Sequence, residues 1–125
     1  MKTEEQVKNA IKWIDELLMT TEKQGTMFLG NSDRGFCYIG LGCYIFELNY
    51  EDSDRYSSEF KHKVGLYHTN GEPLGAYGHQ SLVYTNDVLG WSFSKIGEHL
   101  KKFPEQYFTP KVALGIMKHY LEVPA

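Results

Sequence analysis

The groups able to move protons in this 125-residue chain are five histidines and sixteen carboxylates. General acid–base catalysis needs two of them within hydrogen-bond reach and with unlike proton affinities. No histidine stands at a recognised catalytic spacing. His79 precedes a helical-looking segment and Asp87 lies near its end, so a hydrolytic His79/Asp87 pair forms only if the chain folds back on itself. The competing reading, which the residue types favour, is that Asn86 and Asp87 tie down a turn by bonding to its free amides. Glu98 and His99 flank the inward positions Ile96 and Leu100 and are expected to face water, as is His119. His62 and His68 bracket a short segment with no pocket signature. Catalysis is therefore an alternative reading, with no catalytic residue assigned.

Metal and cofactor chemistry is no better supplied. Cys37 and Cys43, the only cysteines, are six residues apart and match neither a redox C-x-x-C pair nor a zinc spacing. They read as reduced, buried small apolar residues. Glu51, Asp52 and Asp54 lack the alternating oxygens, central glycine and distal glutamate of a calcium loop. Gly40-Leu41-Gly42 lacks the third glycine of a dinucleotide fingerprint, and no Gly-Lys-Ser/Thr phosphate loop occurs. No metal and no cofactor is expected.

Charge argues against nucleic acid. The formal net charge is -3, which repels a phosphate backbone unless cations cluster. The lysine pairs Lys61/Lys63 and Lys101/Lys102 are flanked by acids and read as solvated surface. A helix-turn-helix reading of the segments on either side of Leu89-Gly90 is the DNA-binding alternative, but its recognition helix would offer only Ser94, Lys95 and Glu98 near its start. Aromatic residues make up 14% of the chain, nine of them tyrosines, and tyrosine suits recognition surfaces because it combines apolar area with a hydroxyl. Tyr50, Tyr56, Tyr67, Tyr77 and Tyr84, together with His79, are the candidate binding residues, with Tyr107 near a further turn.

These groups must be held by a single domain, expected to be α+β. It is mostly helical, with four to five helices and a short β-hairpin near residues 64–77. Thr3 and Gln6 have the form of a capping box. Val7, Ala10, Ile11, Ile14, Leu17 and Leu18 then recur at helical steps, predicting a helix that ends near Thr20. Gly25 to Gly35 reads as a connection. The apolar run at 36–48 suits either a strand or a closely packed helix, its length favouring helix. It is too short for a membrane span, and with Lys2, Glu4 and Glu5 after Met1 and no apolar stretch there, a secretory signal is not expected. Asn49 to Ser58 reads as an acidic surface loop. Asn70-Gly71 is a tight-turn signal between Val64–His68 and Leu74–Tyr77. Gln80 to Val88 predicts a short helix. Ser92 caps the next, with Trp91 and Ile96 as its staple and Phe93, Ile96, Gly97, Leu100 and Phe103 inward, and Pro104 stops it. Thr109-Pro110 opens a last helix, with Ala113, Ile116, Met117, Tyr120 and Leu121 inward.

Gln24-Gly25, Phe36-Cys37-Tyr38-Ile39-Gly40-Leu41-Gly42-Cys43, Val64-Gly65-Leu66 and Thr85-Asn86-Asp87 leading to Ser92-Phe93-Ser94-Lys95-Ile96-Gly97 resemble the motifs of a family of small tailed-bacteriophage proteins. That family shows an FCCLGVLCDL-like run and an LND-x-G-x-SF-x-x-IA helix pair. The likeness covers most of residues 5–103, with Thr85 where the family has leucine and Gly97 where it has alanine. The resemblance implies a phage origin, a host cytoplasmic setting and a shared fold. The corresponding expectation is a non-catalytic protein that engages a host macromolecule. The related alternative is sequestration of a small, nucleotide-like ligand by stacked aromatic rings.

Overall fold

Trp13 is the hub of the core. Its indole is fully buried, and ring centroids of Phe60, Tyr38 and Phe108 lie 4.9, 6.2 and 6.3 Å away, the first and last edge-on. Its Nε1 donates to the Tyr38 carbonyl at 2.9 Å, so burial leaves no indole donor unpaired. The computed structural model describes residues 2–22, 24–25, 30–31, 35–36, 38–48, 53–66 and 89–122.

Trp13 belongs to α1 (Thr3–Met19), whose inward residues Ala10, Trp13, Ile14 and Leu17 recur at three- and four-residue steps. The helix ends at Thr20, as the sequence predicts, but its start differs. Lys2 is the N-cap and makes no side-chain cap bond, while Glu4 and Glu5 place negative charge in the first turn. The Thr3/Gln6 capping box does not form because Thr3 is already the first helical residue. Gln6 instead donates from Nε2 to the His62 carbonyl at 2.7 Å.

The apolar run at 36–48 is helical, forming α2 (Tyr38–Ile45). Gly42 is what lets this helix pack so closely: it lies against the ring of the buried Phe60, and any Cβ there would collide with that ring. The helix closes with Glu47 in the left-handed region (φ 57°) and Leu48 N–H bonded to the Cys43 carbonyl at 2.8 Å, the six-to-one bond of a Schellman ending. Cys43 is buried in the core; Cys37 lies outside the described residues.

α3 (Ser53–Val64) corrects two expectations. Residues 53–58 are helix, not the second half of a surface loop. The fold class also changes. Val64, the expected start of a hairpin strand, is the last residue of α3; Gly65 turns at φ +69° and Leu66 N–H returns to the Lys61 carbonyl at 3.0 Å. Val-Gly-Leu is thus a helix C-cap with glycine at the left-handed position and an apolar residue after it. Leu66 then forms an isolated antiparallel bridge with Phe108, supported by Thr109 N–H to the Gly65 carbonyl at 2.9 Å. The remainder of 67–77 lies outside the described residues. The architecture of the described residues is therefore all-α rather than α+β, its one ladder being two residues long, Gly30–Asn31 against Gly35–Phe36.

The last third follows its local signals. Ser92 Oγ accepts the Lys95 N–H at 3.2 Å and caps α4 (Phe93–Lys102), which buries Phe93, Ile96, Gly97 and Leu100. Pro104 stops it and starts a single 3₁₀ turn (Pro104–Gln106). α5 (Pro110–Glu122) begins at the predicted proline. α1 packs on α2, α3, α4 and α5, so each of the other four described helices covers part of its inward face. Gly97 lets α4 approach Leu17 and Leu18, and Gly115 lets α5 approach Val7.

Candidate functional site

α5 is apolar on more than its buried side. Val112, Ala113 and Ile116 fill the core, while Leu114, Met117 and Leu121 are 67%, 41% and 84% exposed. The inward placement expected for Met117 and Leu121 is thus corrected: Ile116 and Tyr120 set the inward direction, and Met117 and Leu121 each lie one step beyond it. Positions 114, 117 and 121 share the i, i+3, i+7 spacing of one helix face, so the three side chains form a ridge along solvent. Exposed apolar residues are ordinary when scattered and informative when aligned.

A groove runs along each flank of this ridge. The one between α4 and α5 has a volume of about 380 Å³ and is lined by Glu98, Lys101, Lys102, Met117, Tyr120 and Leu121. The other lies between α1 and α5, has a volume of about 360 Å³, and is lined chiefly by Glu4, Val7, Lys111, Leu114 and Lys118. Each is thus bordered by two lysines and one glutamate.

The first groove has a fixed wall. Tyr120 donates its hydroxyl to Asp15 Oδ1 at 2.7 Å, and Lys101 Nζ lies 5.0 Å from the Tyr120 ring centroid. Burial pushes the Tyr120 hydroxyl far above its ordinary pKa, helped by the Asp15 bond and the negative charges of Asp15 and Glu98. It remains a donor throughout the physiological range.

His99 is not the water-facing side chain its flanking position suggests. It is half-buried, with ring centroids of Trp91, Phe103 and Tyr107 at 5.4, 5.1 and 5.4 Å. Burial, then the positive charge of Lys102, lowers its pKa. Burial pushes the Tyr107 hydroxyl up to about 12. Lys95 Nζ sits 4.5 Å from the Trp91 centroid on the outside. Trp91 and Tyr107 meet the His99 ring edge-on and Phe103 meets it tilted, so the imidazole joins α4 to the residues before it and to the end of the 3₁₀ turn.

The residues singled out for binding fall elsewhere. Tyr56 is on α3, its side chain outside the described set, and Tyr50, Tyr67, Tyr77, Tyr84, His79 and Asp87 all lie outside the described residues. The first helix of the helix-turn-helix reading, Gln80 to Val88, lies there too. His62 is on α3, exposed, rather than in a hairpin; His68 is again outside. Among the described residues no group of three His, Cys, Asp or Glu could hold a metal ion, and no helix is long and apolar enough to cross a membrane. The α5 ridge could have been found in the sequence: VALGIMKHYL carries more apolar residues than one buried stripe accommodates.

No protein-family model, curated protein or solved structure matches this chain.

Proposed function

We propose that this chain is a small non-catalytic binding protein, of the tailed-phage type its motifs resemble, and that the α4–α5 face engages a host protein. The observation that supports this reading is the Leu114/Met117/Leu121 ridge with a groove on each side. Burying such side chains against a partner removes apolar surface from water, worth roughly 25 cal/mol per Å² before the costs of association. The lysine borders supply the polar rim that such an interface carries. The ridge stands on a helix fixed to α1 and α4, so little ordering is needed on binding.

The reading is tested by capture from host lysate with two baits, the native chain and the double variant Met117→Ser/Leu121→Asp. One stoichiometric partner retained by the native bait and lost by a variant of unchanged melting temperature is the expected result. A partner held equally by both baits removes the ridge from the interface, and repeated empty captures remove the binding role.

A further inference from the structure

Resting on that docking reading, we infer that the α5 ridge receives an amphipathic α-helix of the partner, whose apolar seam is bordered by aspartates or glutamates. The shape of the ridge comes first. Leu114 to Leu121 spans seven residues, or about 10 Å at the helical rise of 1.5 Å per residue. A facing helix with apolar side chains at the same spacing meets this line along two turns. Its own side chains then project into the hollows on either side, as knobs enter holes between paired helices.

Charge settles the borders. Lys101 and Lys102 edge one groove against Glu98, and Lys111 and Lys118 edge the other against Glu4, so both margins are net positive. The surplus is local: residues 93–122 hold five lysines and three glutamates in a chain whose formal charge is -3. An apolar line with cations on both sides is complementary to a helix with carboxylates flanking its seam, the positions that select partners in paired helices.

The same borders reject the other occupants. A second copy of α5 lying on the first would set two lysines against two lysines at each margin, with only Glu98 or Glu4 to offset them. An anionic bilayer would suit the lysines as a carboxylate-edged helix does, but a planar surface does not fill two concave flanks. Duplex DNA would place phosphates over leucine and methionine.

The probes are two synthetic helical peptides with the same leucine seam, one edged with glutamate and the other with lysine, measured by fluorescence anisotropy at near-physiological salt. The glutamate-edged peptide binds the native chain at least about tenfold tighter than its lysine-edged twin. The preference reverses in Lys102→Glu/Lys118→Glu, and binding of both peptides is lost in Met117→Ser/Leu121→Asp. Equal affinity for the two peptides overturns the charge match while leaving the docking reading in place. Failure of either peptide to bind overturns the helical occupant, again without touching a partner captured through the ridge. Binding undiminished in Met117→Ser/Leu121→Asp overturns both readings. Sedimentation of the chain alone and flotation with phosphatidylserine-containing vesicles complete the test. Self-association or vesicle binding that disappears with the ridge assigns the face to a second copy or to lipid and overturns the inference.

Discussion

Tyr120 on α5 gives its hydroxyl proton to Asp15 on α1 across 2.7 Å, while Lys101 on α4 lies over the same ring. Three helices are thereby joined through one side chain, and the wall of the α4–α5 groove is fixed by that junction. Hydrogen bonds to a charged group contribute more than neutral ones, and removing the donor leaves a half-buried carboxylate short of a partner.

Tyr120→Phe is therefore expected to cost about 1–2 kcal/mol, with Asp15→Asn costing less because an amide still accepts the bond. Urea denaturation checks both: the midpoint falls while the slope stays that of the native chain. A Tyr120→Phe midpoint equal to the native value would show that the bond is replaced by water at no loss.

Two glycines on different helices are expected to respond unequally to the same change. At Gly42 an added methyl collides with the Phe60 ring, which is fully buried and has nowhere to move, so Gly42→Ala destabilises by about 2 kcal/mol or more. At Gly97 the nearest atoms are Leu17 Cβ and the end of the half-buried Leu18 side chain, each at 3.1 Å; the Leu18 end can turn aside, and Leu17 Cβ needs α1 to give only slightly. Alanine's helix propensity there recovers about 1 kcal/mol. Gly97→Ala should leave the melting temperature within a few degrees of native, and a loss as large as that of Gly42→Ala would mean the α1–α4 contact cannot open at all.

Gln24 clamps the start of α4. Its Nε2 donates to the Trp91 carbonyl at 2.6 Å and its Oε1 accepts the Phe93 N–H at 2.9 Å, tying residue 24 to the N-terminus of a helix far along the chain. Gln24→Ala removes both bonds and is expected to cost about 1–3 kcal/mol. Hydrogen exchange should show the first-turn amides of α4 losing protection ahead of those of α1.

Acid should loosen the His99 cluster. With the folded-state pKa held below the ordinary 6.5 by burial and then by Lys102, the unfolded chain takes up this proton first as pH falls. The contribution of neutral His99 is complete above pH 6.5 and is lost as the pH drops through the folded-state value. Urea midpoints measured across that window should decline in the native chain and decline less in His99→Phe, which keeps an aromatic ring and removes the titration. Parallel profiles would mean that His99 titrates alike in both states.

Local signals were legible where one residue decides the outcome. Ser92 as a cap, Pro104 as a stop, Pro110 as a start and the inward stripe of α1 need only the neighbouring few residues to act. Val64-Gly65-Leu66 misled because β-branched and apolar residues before an Asn-Gly turn imitate a strand, although the same glycine serves equally as a helix C-cap. Thr3 and Gln6 matched a capping pattern, but the long-range bond to the His62 carbonyl took the glutamine. His99 and the outward pair Met117 and Leu121 depend on which side of a helix finds neighbours, and periodicity gives a direction without saying how wide the covered sector is. Trp13, three residues from Ala10 and four from Leu17, lay on the stripe in plain view.

With the buried face of α1 covered by every later described helix, the order of synthesis acquires a cost. While ribosomes are still adding α3, the nascent segment bearing Trp13, Ile14 and Leu17 has only part of its final shelter, and α5 is translated last among the helices that cover it. The buried face of α1 therefore gains its last described helical cover only once Pro110–Glu122 has been made, and a product terminated before that point is expected to leave part of its earliest helix open to proteases.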